Sequence, residues 1–434
     1  MSIAAAPDVG TTYRALFRNA PFVKLFSAGV ASVLGSTAAQ VCLVWLIFVN
    51  THSSIDIAYL GVVGISAGIA FSLIGGTLVD RYDRRTLMII SDFARAAMTF
   101  ILVLILVRYG FNLGAILVEE FVVSAFTVVF NPAEQAFIPA VVGGRDLPDA
   151  NGLVRASRNA AGFVGASVGG VLIVTLGSIP GVAVMGATFL VSGALITLIS
   201  RNRGALSALS LGGRRGGRFV GDLREGFSWL YRSTGLFQLT ISAGFFNFFS
   251  TVFGTFLVFY ATELLHGSAL VFAALLAVNV AGGGVGAVLV GRVGGVRYAG
   301  KAWVLLYGVG ASGLLIVLAL FPATALALVL VFAIGLSSAF AGTSWLTLAQ
   351  LVVPTEMQGR YFGIDGLGSW VIIPVGTILG GVLIADVGIG ETYLIAGVGW
   401  FLAGLVFLVP RALWHLGYPP VSAGPRVPGA RPGG

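Results

Sequence analysis

Long apolar runs, each closed by a short cluster of charge, proline or glycine, recur twelve times along the chain. They fall near 22–49, 56–79, 87–107, 113–138, 150–176, 180–200, 235–262, 268–291, 302–321, 324–353, 361–385 and 391–410. Most reach or exceed the roughly 20 residues that a helix needs to cross about 30 Å of hydrocarbon. Runs such as 101–107 lack the alternation of a half-buried strand, and the length of the surrounding segment favours helix. The pattern predicts an all-α polytopic membrane protein with twelve transmembrane helices.

Composition agrees with that reading. Of 434 residues, 57% are apolar and 10% charged, whereas a soluble domain carries about 25% charged residues to cover its surface. A soluble enzyme, a disordered chain and a nucleic-acid binder are thereby excluded. Cys42 is the single cysteine, so neither an intramolecular disulfide nor a thiolate cluster is expected. The lead 1–13 has no basic region feeding a short apolar core, so the first span is expected to direct insertion itself.

The net charge of +8 is distributed by side rather than by patch. Junctions between even and odd spans carry Arg81, Arg84, Arg85, Arg145, Arg292, Arg297, Lys301 and Arg360. Those between odd and even spans carry Arg108 and no other base. Positive residues are retained in the cytoplasm. Both termini are therefore expected there, in a multi-pass protein of the plasma membrane, with the basic side facing anionic lipid heads.

The longest polar stretch, 201–234, is rich in glycine and arginine and divides the chain into halves that repeat. Gln135-x-x-x-Pro139 with Gly144-Arg145 returns as Gln350-x-x-x-Pro354 with Gly359-Arg360. The stretch from Gly165 to Ile173 returns as Gly376 to Ile384, Ser27-Ala-Gly29 as Ser242-Ala-Gly244, and His52 as His266. These landmarks keep their order at offsets of 211 to 215 residues. The division is a cytoplasmic lead (1–20), a six-helix bundle (21–200), a cytoplasmic linker (201–234), a second six-helix bundle (235–411) and a cytoplasmic tail (412–434). Parallel repeats of this kind place a substrate site at mid-membrane between the halves, reached alternately from each side.

After span 2 the chain reads Gly76-Thr-Leu-Val-Asp80-Arg81-Tyr-Asp-Arg84-Arg85. This resembles the signature loop of the major facilitator superfamily, Gly-x-x-x-Asp-Arg-x-Gly-Arg-Arg/Lys, and stands where that family has it. Asp83 replaces the second glycine, and the second-half counterpart has Gly291 where the acid would be. The resemblance implies a latch between the halves on the inner side. In it, Asp80 lies against the positive end of span 11, which contains Asp365, while the arginines face Asp92 and Glu134. Asp92-x-x-Arg95 reads equally well as a local helix pair. Within the superfamily, Asn131-Pro-Ala133, Pro139, residues 147–151 and residues 165–170 are similar to the macrolide, drug and enterobactin exporters. The segment after Gly165 is like an antiporter motif, with Ala166 in place of its proline. The same glycine spacing also serves close helix packing.

In that superfamily spans 1, 4, 7 and 10 line the central cavity. Span 4 places Glu120, Ser124, Thr127 and Asn131 on one helical face. Span 1 offers Ser36 and Gln40, span 7 Asn247 and Thr251, span 10 Ser337 and Ser344, with Trp45 and Trp345 among the aromatic neighbours. Such a wall suits an amphipathic organic ligand. Intramembrane acids are functional by default, so Glu120, or else Glu119, is the candidate for proton coupling. The plainer alternative is a structural pair between Glu119 and Arg108. Gly64-Ile-Ser66-Ala-Gly68 mimics a hydrolase nucleophile motif but lies inside span 2. Gly308-x-Gly310-x-x-Gly313 mimics a dinucleotide fingerprint inside span 9. The expectation is a monomeric proton antiporter exporting amphipathic small molecules, not an enzyme. Its partners are substrate, proton and membrane lipids, with no cofactor, metal or nucleic acid. An importer or lysolipid flippase on the same fold, and a membrane sensor that moves nothing, stay open.

Overall fold

The structure is a computed structural model and describes residues 15–142, 146–199, 227–292 and 299–409. Among these described residues, twelve helices are long and apolar enough to cross a membrane. The first half contains α1 (Ala20–Thr51), α2 (Ser54–Arg81), α3 (Arg84–Tyr109), α4 (Leu113–Val141), α5 (Leu147–Thr175) and α6 (Ser178–Thr197). The second contains α7 (Thr234–Thr255), α8 (Ala269–Arg292), α9 (Ala299–Leu320), α10 (Thr324–Val352), α11 (Thr355–Trp370, then Ile373–Val387) and α12 (Ile389–Leu408). Most of the linker, the first fourteen residues and the tail lie outside the described residues, as do Arg145 and Arg297.

Local chemistry sets where the helices start. Asn19, Ser53, Asp83 and Asn112 each accept a hydrogen bond from a first-turn amide of α1, α2, α3 and α4, which satisfies an otherwise orphaned donor. Asp83 accepts both the amide and the hydroxyl of Thr86, at 3.2 and 2.6 Å. An acid there in place of glycine thus serves as the cap of α3. In α11 the break falls at 371–372, ahead of Pro374, whose ring cannot continue the preceding turn. The middle of α9, Trp303–Ala311, is wound as a π-helix.

The repeat is visible in the packing. In the first half α1 packs on α5 and α6, α2 on α4, and α3 on α4 and α6. The equivalent pairings recur in the second, α7 on α11 and α12, α8 on α10, and α9 on α10 and α12. The halves meet along α2–α11 and α5–α8. The halves are in close contact at the face where α1 turns into α2, the hairpin face. There the Ser54 hydroxyl donates to the Gly381 carbonyl at 2.6 Å, and a Cβ on Gly170 would lie 1.9 Å from that of Ala273. Phe48 meets Phe259 edge-on at 5.1 Å, and Trp45 stacks on Phe272 at 6.1 Å. Trp45 therefore belongs to the closure of this face, not to the cavity wall where the sequence put it. Its position near the end of α1 carries it beyond the polar stripe.

Candidate functional site

A cavity of 330 Å³ lies within the first half. Helix α1 lines it with Ser32, Ser36 and Gln40, and α4 with Glu119, Glu120, Ser124, Thr127 and Asn131. Arg95 of α3 and Arg158 of α5 complete its polar wall. The span 4 stripe, set on one face by helical spacing, meets the span 1 pair across this cavity. It also runs on to Glu134, fourteen residues beyond Glu120 and within about 40° of it on a 3.6-residue helix.

Each of the two cations has its own acid. Arg95 is sealed from solvent, paired with Asp92, and donates to the Thr127 hydroxyl at 3.3 Å. Its guanidinium is sandwiched between Phe130 and Phe189, 4.6 and 4.3 Å from the ring centres, a contact that steadies a desolvated cation. Ser192 donates to the second oxygen of Asp92 at 2.7 Å. Arg158 pairs with Glu134 and donates to Asn131 at 2.8 Å. A side chain at Gly29 would collide with the Glu134 carboxylate, so that glycine is what admits the pair beside α1.

The remaining acids have hydroxyl partners instead. Thr99 donates to Glu119 at 2.8 Å, and the other oxygen of that carboxylate is buried without a hydrogen bond. Ser124 donates to Glu120 at 2.9 Å. Arg108 is exposed at the end of α3 and forms no salt bridge with Glu119. The structural pair considered from the sequence is absent, because Glu119 turns inward to Thr99. Among the described residues, neither Glu119 nor Glu120 has a cation within salt-bridge distance. The cavity therefore presents two acids beyond those that neutralise its arginines.

Sequence reasoning did not assign Arg158 and treated Arg95 as a local partner. The available signal was arginine inside two spans, Arg95 in span 3 and Arg155 and Arg158 in span 5, since a cation in hydrocarbon must be paired or functional.

The family model described as transmembrane secretion effector matches residues 11–413. The chain belongs to this family of the major facilitator superfamily. Its relatives include the multidrug efflux pump Tap of Mycolicibacterium fortuitum, 25% identical over 91% of this chain and 97% of Tap. Macrolide efflux protein A of Streptococcus pyogenes is 22% identical over 87% of this chain and 92% of that protein. Among solved structures, an inward-facing bacterial homologue of the human lysosomal transporter Spinster aligns with a TM-score of 0.70. It is 14% identical and covers 92% of this chain and 99% of its own. The nucleoside transporter NupG aligns with the same score at 10% identity, over 89% and 98%. This major facilitator protein is thus a multi-pass membrane transporter of small molecules, not an enzyme.

The signature loop of this transporter makes contacts other than those expected. Arg84 donates to the Ala136 carbonyl at 2.9 Å, and Arg85 to those of Ile196 and Thr197 at 3.2 and 2.6 Å. Ile196 and Thr197 present last-turn carbonyls of α6, where a cation satisfies orphan acceptors and the helix dipole, whereas Ala136 lies a turn before the end of α4. Asp92 and Glu134 are already taken by Arg95 and Arg158. Arg81 is exposed. Asp365 lies buried in α11 and accepts from Thr240 of α7 at 2.7 Å, a contact inside the second half. The surroundings of Gly76 and the side chain of Asp80 lie outside the described residues.

The second-half stripes do not line the cavity described above. Asn247 donates to the Ser369 carbonyl at 3.1 Å, and Thr251 meets Thr377 at 3.1 Å, so both tie α7 to α11. Ser337 donates to its own helix at Ala333, at 2.8 Å. Ser344 is fully buried without a hydrogen-bond partner, and Trp345 is partly buried against the apolar core. The two sequence decoys are packing devices. Gly308 faces Phe246 and Gly404, and Gly64 faces Glu120.

Proposed function

We propose that this transporter is a proton-coupled exporter of amphipathic, cationic or neutral small molecules, acting as a monomer in the plasma membrane by alternating access. The observation that carries the reading is the pair of intramembrane acids, Glu119 and Glu120, partnered by hydroxyls in a cavity whose arginines are already neutralised. Such a carboxylate accepts either a proton or the cationic head of a substrate. The two ligands therefore compete, and competition for one group is the simplest physical basis for antiport.

The basic residues favour a cytoplasmic terminal face, opposite the hairpin face. With that orientation, closure at the hairpin face corresponds to an inward-facing state. Glu120 then loses its proton toward the cytoplasm and attracts substrate. In the outward-facing state the acidic exterior returns the proton and expels the substrate. A cysteine placed at Ser210 of the linker should resist impermeant label in right-side-out vesicles.

The experiment is transport of a fluorescent lipophilic cation in inverted vesicles, with and without an imposed pH gradient. Accumulation should require an acidic interior and collapse when the gradient is dissipated. Flux indifferent to the gradient would sink the coupling, and binding without flux would favour a sensor.

A further inference from the structure

Gly64 sits on the face of α2 that meets the proton-coupling acid. A Cβ built there would lie 2.5 Å from Glu120 Oε1 and 3.4 Å from Ser124 Oγ. A carboxylate oxygen thus occupies the space that any other residue would fill. At Gly68, one turn on in the same motif, a Cβ would meet nothing within 4 Å. The two glycines look alike in the sequence, and only one is required for space.

Helix α2 also forms a seam with the other half. One turn from Gly64, a Cβ at Gly61 would touch Thr377 of α11 at 3.6 Å. Further along, Ser54 bonds the Gly381 carbonyl, and Ala58 abuts Gly381. Thr377 in turn meets Thr251 of α7. A continuous line of contact runs from the Glu120 carboxyl, through the Gly64 face of α2, to the closed hairpin face.

We propose that Gly64 is the positioning residue that couples Glu120 to this seam. The inference rests on Glu120 being the proton site. The amides of α2 are consumed by their own helix, so its backbone offers the carboxylate no donor. A neutral carboxyl can bed against bare backbone there with Ser124 as partner, whereas an ionised one seeks better solvation in the cavity. The charged groups around the acid are Glu119 on its own helix, Arg95 from α3 and Arg158 from α5. Helix α1 brings the uncharged Gln40, and α2 brings no charge at this level. Protonation therefore draws the carboxyl onto Gly64, beds α2 on α4, and favours the closed seam. Loss of the proton releases α2 and loosens it.

The test is spin-label distance between α2 and α11 across a pH series in lipid nanodiscs, with labels at the exposed positions Tyr59 and Val387. This readout does not require flux. In the parent protein the distance should lengthen as pH rises. Gly64→Ala should move that transition about one unit lower, a tenfold weaker apparent proton affinity. Gly68→Ala should leave it in place. Adding Glu120→Asp to Gly64→Ala, which withdraws the acid by one methylene, should bring the transition back to that of Glu120→Asp alone. Equal behaviour of the two glycine variants, or no relief by Glu120→Asp, would overturn the proposal. If Gly64→Ala does not fold, the comparison of Glu120→Asp with and without it decides, since a difference there contradicts the steric argument. A pH transition that persists in Glu120→Gln would instead remove the proton site itself, and with it the function proposed above.

Discussion

Glu119 and Glu120 are neighbours in sequence, yet their surroundings divide their roles. The first is turned about 100° from the stripe and held by Thr99 on α3, while the second shares the stripe with Ser124 and meets α2. Glu120→Gln should still insert, but it should bind a cationic substrate more weakly, and its remaining transport should stop responding to an imposed pH gradient. Measured in inverted vesicles, a normal pH response would move the proton site to Glu119. Arg158 invites a different experiment. Glu134 is buried, so removing its partner by Arg158→Leu leaves an uncompensated carboxylate, at a cost of up to about 3–5 kcal/mol. Arg158 itself is 27% exposed, so the lower end of that range is expected. Thermal unfolding should show the loss, and adding Glu134→Gln should recover most of it. Equal melting of the single and double variants would show that the pair is not what stabilises this region.

Between helices, glycine supplies the close approach that lipid cannot drive by the hydrophobic effect. The crossing of α8 and α10 is the clearest case. Side chains at Gly282 and Gly335 would each fall 1.9 Å from a backbone carbonyl of the partner helix, and one at Gly286 would fall at 2.3 Å. Backbone cannot rotate aside as a side chain can, so Gly282→Ala should force the helices apart and cost at least the roughly 1–3 kcal/mol of ordinary overpacking. Gly284→Ala, with nothing within 4 Å, should melt like the parent protein. The same logic explains the glycine run in α5. Gly165 and Gly169 approach α1 backbone, while Gly170 approaches α8 across the seam. A motif similar to that of antiporters therefore also performs the packing role that its spacing suggested.

Across the whole molecule, the halves are two copies of one packing scheme joined at the hairpin face. A Cβ at Gly381 would lie 3.1 Å from that of Ala58, close to the 3.5–4.5 Å separation that a disulfide needs. Ala58→Cys with Gly381→Cys should cross-link under mild oxidant and hold the seam shut. Transport should cease on oxidation and return on reduction, with the buried Cys42 taking no part. Continued transport by fully cross-linked protein would mean that this seam need not open during the cycle.

Hydrophobic run length and repeat spacing determined the number of spans and the twofold organisation by themselves. Each is set by the thickness of hydrocarbon or by duplication, and neither depends on what a helix touches. The polar stripe of span 4 was legible for a related reason, since 3.6-residue spacing fixes angle within one helix. What only the tertiary structure decided is which helix each angle faces. Spans that are apolar all round carry little information about orientation. Hence the sequence did not reveal that Trp45 closes a seam, that Asn247 and Thr251 bind α7 to α11, or that loop arginines take carbonyls rather than acids. The same holds for charge. Composition counts acids and bases, whereas the pairing of Arg95 with Asp92 and of Arg158 with Glu134 arises only where α3, α4 and α5 converge, and that convergence leaves Glu119 and Glu120 to hydroxyl partners.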